Sequence, residues 1–102
     1  MLELRPTCEN CNKPLPPEST EARICSYECT FCASCVEKIL HNVCPNCGGG
    51  FQPRPIRPSR NWNEDNFLGS DPASKIVRYR PVDPLKHVLL LKKLEHVPPH
   101  QR

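Results

Sequence analysis

Residues 8–47 read CENCNKPLPPESTEARICSYECTFCASCVEKILHNVCPNC, and all eight cysteines of the 102-residue chain fall within them. They come in close pairs: Cys8 with Cys11, Cys25 with Cys29, Cys32 with Cys35, and Cys44 with Cys47. Partners so near in sequence close no useful disulfide loop, and nothing indicates an oxidising compartment. A C-x2-C turn instead offers two thiolates to one ion at about 2.3 Å, and two such pairs complete a tetrahedron. Eight ligands make two closed four-thiolate sites, neither with a position open for a substrate water. The expected cofactor is therefore zinc, two ions per chain, in a structural role.

Two partitions of the ligands are compatible with this spacing. In the interleaved one, Cys8, Cys11, Cys32 and Cys35 form site one, and Cys25, Cys29, Cys44 and Cys47 form site two. In the sequential one, the first four cysteines share one ion and the last four the other. Ala33 to His41 (ASCVEKILH) lacks Gly and Pro, with Val36, Ile39 and Leu40 on one helical face. That places Cys32 and Cys35 at a helix N-terminus, where free N–H groups and the dipole favour thiolate, and it favours the interleaved form.

The composition agrees with a metal-held domain. The chain is 37% hydrophobic and 6% aromatic, with thirteen prolines against four glycines, too little apolar mass for a core without staples. Residues 1–50 carry four basic and six acidic side chains, residues 51–102 ten and five, for balances of −2 and +5. Each four-thiolate zinc site adds about −2, so the loaded first half reaches about −6 and basic character belongs to the tail alone. The overall charge of +3 is thus a poor argument for nucleic acid, which is not an expected partner. The longest apolar run, Val88 to Leu91, is far short of a membrane span. The opening MLELRPTCEN has no apolar leader core, so a cytoplasmic protein is expected.

The full spacing, C-x2-C-x13-C-x3-C-x2-C-x2-C-x8-C-P-x-C, resembles a RING-type cross-brace finger with all-cysteine ligands. MLELRPTCENC, ARICSYECTFCASC and CPNCGG are similar to the small bacterial family called domain of unknown function 1272, over Met1 to about Arg57. The resemblance implies a small metal-bound α+β fold, a RING-like (treble-clef) two-zinc module with a short hairpin and one helix. It implies no established activity. In RING ligases an apolar residue of the first knuckle docks the conjugating enzyme and a basic residue follows the last ligand pair. Here Glu9 and Asn10 fill the knuckle and Gly48 follows Cys47, which argues against ligation.

Outside the cysteines, three regions are expected: the two-zinc module at 1–57, a polar linker at 58–74, and a tail at 75–102 with a strand and an amphipathic helix. Leu2, Leu4 and Pro6 suggest an extended lead-in that covers the zinc site or pairs near Phe51. Ala22–Cys25 and Thr30–Phe31 suggest a hairpin, with Tyr27 and Phe31 as core fillers. Arg54, Arg57 and Arg60 alternate with proline in a polyproline-like stretch that holds them apart and solvated, and the favoured reading is a basic linker lying on its own acidic domain. Trp62, Phe67 and Leu68 are candidate anchors in the loop Asn61–Ser74. Lys75 to Arg80 (KIVRYR) alternates enough for one short strand, and a lone strand needs a partner. Asp83-Pro84 gives a cap and first turn to a helix over Leu85–Val97, with Leu85, Val88, Leu89, Leu91, Leu94 and Val97 on an apolar face. That face is expected to dock on the module or to make a homodimer.

His41, His87, His96 and His100 are not needed as ligands; His87 and His96 are read as helix surface, and His41 as a helix C-terminal partner. The three-glycine run Gly48–Gly50 is a turn without phosphate-loop spacing. No catalytic constellation is visible, so the chain is expected to be no enzyme. The expected work is protein binding as a small adaptor or regulator, with loops at Pro14–Ser19 and Tyr27–Phe31 on display. Its rivals are a ubiquitin-type ligase, a nucleic-acid binder and a thiol or zinc redox sensor.

Overall fold

The computed structural model describes residues 1–102. Strand β1 (Ala22–Ile24) is central in a three-stranded antiparallel sheet, flanked by β2 (Thr30–Cys32) and β3 (Gln52–Pro53). Ala22 pairs with Cys32, Arg23 with Phe31 and Ile24 with Thr30, and Ile24 also pairs with Gln52. The hairpin is thus the expected one, shifted by a residue at each strand end. Glu28, in the left-handed region at φ 66°, turns the chain between Cys25 and Cys29.

β2 runs directly into helix α1 (Ala33–Cys35), capped by Cys32, and the helix widens into a π-turn over Val36–Leu40. The extra residue per turn moves Ile39 off the face expected for it: Leu40 is buried while Ile39 is exposed. His41 and Asn42, both left-handed, end the segment, with the Asn42 N–H bonded back to the Val36 carbonyl.

The core is small and built around the cysteines: Cys8, Leu15, Ala22, Phe31, Leu40 and Phe51 are its main fillers. Phe31 and Phe51 meet edge to face at 5.4 Å and 79°. Tyr27, expected as a filler, is instead exposed at the hairpin tip. The lead-in does not pair near Phe51, because β1 takes that edge; Thr7 bridges Pro14 and Leu4 is buried.

The proline-arginine stretch lies on its own domain as expected, but Arg54 and Arg57 are held by backbone carbonyls rather than by acidic side chains. Arg54 is only 4% exposed, and its guanidinium donates to the carbonyls of Arg5, Leu15 and Pro16 at 2.9–3.1 Å. Arg57 similarly holds the carbonyls of Leu2 and Asp71 at 2.7 Å. Proline cannot donate and its loop leaves carbonyls unpaired, so a five-donor side chain is the natural clamp. Arg60 alone of the three is free and exposed. In the following loop Phe67 and Leu68 are half-buried and Trp62 is exposed.

Lys75–Arg80 forms no strand, because no second strand lies beside it in ladder geometry. Helix α2 spans Pro84–Leu94, starting one residue before and ending three before the expected range. Asp83 caps it as expected, its Oδ1 accepting the Leu85 N–H at 3.0 Å. α2 docks on the cysteine-bearing half through part of the expected face, Leu91 and Leu94, joined by His87 and Leu90. His87 is buried, its Nε2 2.9 Å from the Leu40 carbonyl, and Leu90, Leu91 and Leu94 are half-buried. Leu85, Val88 and Leu89 stay exposed. The helix is apolar on more than one side, so composition alone does not select the docked side. Arg102 closes the tail, donating to the carbonyls of Asn42, Gly48 and Val97.

Candidate metal centre

Two cysteine-bearing turns in the chain are built alike. The Asn12 N–H bonds to the Cys8 carbonyl and the Gly48 N–H to the Cys44 carbonyl, at 2.9 and 2.8 Å. Asn12 and Gly48 both sit at positive φ, four residues after the first cysteine of their pair. That bend turns the thiols of each pair inward on one side. The other two pairs come from the hairpin tip (Cys25, Cys29) and from the β2–α1 junction (Cys32, Cys35).

The fold brings Cys8, Cys11, Cys32 and Cys35 together, with all four sulfurs within 4.8 Å of one another. It also brings together Cys25, Cys44 and Cys47 within the same limit. Cys29, the remaining thiol, lies at the other end of the Cys25 turn and takes a hydrogen bond from Asn46 Nδ2 at 3.4 Å. Cys8 and Cys11 thus meet Cys32 and Cys35, while Cys25 meets Cys44 and Cys47.

The distances fit a metal. A tetrahedron with 2.3 Å metal–sulfur bonds has edges of about 3.8 Å, and Cys11 Sγ lies 3.8 Å from Cys32 Sγ. N–H groups also converge on the sulfurs: Asn10 Nδ2 on Cys35 at 3.3 Å, Tyr27 N on Cys25 at 3.3 Å, and Gly49 N on Cys47 at 3.4 Å. Such donors disperse thiolate charge and orient the ligands.

Without an ion four of these thiols resist ionisation. Burial pushes Cys8, Cys29, Cys35 and Cys44 above the ordinary thiol value, and neighbouring thiols push Cys29 and Cys35 further. At Cys11 partial burial also pushes upward, but the Lys13 N–H and the adjacent thiols outweigh it and set this thiol low. Buried thiolates at this density need a cation, and soft sulfur in a tetrahedron suits zinc or iron. Each cluster can hold one metal ion, so the chain carries the ligands for two.

Three residues beside the centre gave no signal in the sequence. Glu9 is buried inside the first turn, accepting from the Thr30 N–H and from Arg5. His87 was read as helix surface and is buried against Leu40, with its Nδ1 unpartnered. Asn46 reaches Cys29 from within the last pair. Of the other histidines, His41, His96 and His100 are exposed.

The family described as a protein of unknown function, DUF1272, matches residues 1–57. The chain belongs to this family. The match takes in all eight cysteines and ends just past the Arg54 clamp. An uncharacterized protein of Rhizobium meliloti (strain 1021) is 58% identical over 59 residues, covering 58% of this chain and 70% of that protein. No solved structure matches. No helix of the DUF1272 chain is long and apolar enough to cross a membrane.

Proposed function

We propose that the chain is a two-zinc structural module of RING-like layout that works as a cytoplasmic protein-interaction adaptor or regulator rather than as an enzyme. Site one is Cys8, Cys11, Cys32 and Cys35; site two is Cys25, Cys29, Cys44 and Cys47. The observation that carries the reading is the convergence of four sulfurs at site one, with the 3.8 Å Cys11–Cys32 edge of a zinc tetrahedron. Four-thiolate closure leaves no vacancy for substrate, so the metal stabilises the fold and the surface does the work. Zinc would supply the cross-links that a small core lacks.

The ligase reading loses further ground. Glu9, where an apolar docking residue would sit, is buried and tied to Thr30 and Arg5. No discharge of a conjugating enzyme is expected. The nucleic-acid reading loses Arg54 and Arg57, which are spent on backbone carbonyls. Zinc-edge X-ray absorption tests the scaffold: four sulfurs per zinc at about 2.3 Å are expected. Nitrogen or oxygen ligands in place of any sulfur would overturn the assignment.

A further inference from the structure

Residues 74–82 run parallel to residues 3–10 as a strap whose backbone is tied to them only at its ends. The Ser74 N–H bonds to the Glu3 carbonyl at 3.0 Å, the Arg80 N–H to the Glu9 carbonyl at 2.8 Å, and the Val82 N–H to Asn10 Oδ1 at 2.9 Å. Arg78 adds a side-chain tether, its guanidinium bonding both carboxylate oxygens of Glu3. Between these ties the backbone makes one bond, from the Ile76 N–H to Ser74 Oγ at 3.1 Å. The N–H groups of Lys75, Val77, Arg78 and Tyr79 bond to nothing in the protein, and neither do the carbonyls of Ser74–Arg80. Ile76, Val77 and Tyr79 are 62%, 55% and 52% exposed.

This is strand chemistry without a strand. β-Branched and aromatic residues in extended backbone, with free donors and acceptors, form the template to which another chain adds. A groove of 440 Å³ opens between the strap and the cysteine-bearing half, with Arg5, Glu9 and Asn46 on one wall and Val77, Tyr79 and Arg80 on the other. Charge selects the occupant. Lys75 and Arg80 have no ion-pair partner anywhere in the protein. A second copy of the strap would set these cations and Arg78 against their own kind, which is destabilising in cross-strand pairs. A nucleic acid would find one aromatic ring on the strap itself, Tyr79, where stacking along a strand needs several in succession.

We infer that Lys75–Tyr79 is an addition strand for an acidic, extended peptide, whose backbone pairs with the strap and whose carboxylates meet Lys75 and Arg80. The inference rests on the protein-binding reading above and gives it a partner chemistry. Such a contact is small, so its affinity is weak and falls as salt rises.

The test is a ¹⁵N NMR titration of zinc-loaded full-length protein with a capped synthetic peptide of Glu-Glu-Val repeats, which carries carboxylates on both faces of a strand, with zinc content measured on the same sample. Slowed exchange at the Lys75, Val77 and Tyr79 amides, which share the edge opposite the Ser74 and Arg80 ties, is expected, with shifts along the strap. Arg80→Glu should weaken binding about tenfold by placing like charges together. Val77→Pro removes a free strand donor and should abolish binding while zinc content stays unchanged. Absence of perturbation at the strap in zinc-loaded protein would overturn this inference and leave the zinc scaffold standing. Equal binding by the Lys-for-Glu peptide, preferential binding of an oligothymidylate, or strap-mediated dimers would overturn it as well. Strap binding by a sample that holds no zinc would sustain the inference and sink the scaffold reading instead.

Discussion

Asn10 Nδ2 lies 3.3 Å from Cys35 Sγ, donating to a thiol of the first cluster from within the first cysteine turn. The same amide's Oδ1 accepts the Val82 N–H at 2.9 Å, so one side chain couples the metal ligands to the tail. Asn10→Ala should therefore lower zinc affinity at site one by about 10–100-fold, the usual cost of losing an outer-shell partner. Competition with a calibrated chelator measures this. Amide exchange at Val82 should rise in the same variant, and Asn10→Asp should retain the Val82 bond but lose the donor to sulfur.

Arg54 clamps three carbonyls from the N-terminal segment and the proline loop onto the sheet edge. Arg54→Ala should destabilise the zinc-loaded protein by about 3 kcal/mol, because buried carbonyls lose charged donors and a cavity opens. Arg54→Lys should rescue little of this, since one ammonium does not reproduce the planar fork. Arg60→Ala, at an exposed neighbour, should change stability by less than about 0.5 kcal/mol. Chemical denaturation at fixed zinc reads all three.

The zinc-loaded and metal-free proteins should respond to pH in opposite directions. Burial raises Cys8, Cys29, Cys35 and Cys44 in the metal-free fold, so their contribution is complete below the ordinary thiol value of about 8.5 and is lost as pH rises through the folded values. Zinc requires the thiolates, so loading releases protons and strengthens as pH rises. Thermal melts from pH 6 to about 10, which straddle the ordinary thiol value where the metal-free loss begins, should show the two curves diverging as pH rises. Proton release into a weak buffer on zinc addition checks the stoichiometry.

The two sides of α2 should differ sharply. Leu94 packs on the turn after Cys47, its Cδ1 at 3.0 Å from where a Cβ on Gly48 would lie. Leu94→Ala should cost about 1–2 kcal/mol, and Gly48→Ala should be at least as disruptive because Gly48 is also at φ 77°. Leu89→Lys, on the exposed side, should leave stability within about 0.5 kcal/mol and the protein monomeric. Sedimentation and denaturation separate the cases.

The cysteine-bearing half was legible because its cysteine turns are local. Spacing fixes which thiols share a turn, and the Gly- and Pro-free stretch after Cys32 places that pair at a helix start. The α2 cap was legible for the same reason, since Asp83-Pro84 states it within two residues. Arg54, Glu9 and His87 were not legible. Each is a polar side chain buried by backbone groups from segments distant in sequence, and no periodicity records such a partner. Lys75–Arg80 read as a strand from its side chains alone. Its alternation is real, but a ladder also needs a neighbour, and the fold supplies ties only at the strap's ends. Ile39 was misplaced by a π-turn, which a 3.6-residue period does not anticipate.

Native mass spectrometry of protein purified without added metal tests the central claim most directly. The account expects a monomer carrying two zinc ions, one for each cysteine cluster. Iron in place of zinc, a single ion, or the mass loss of disulfides would contradict it.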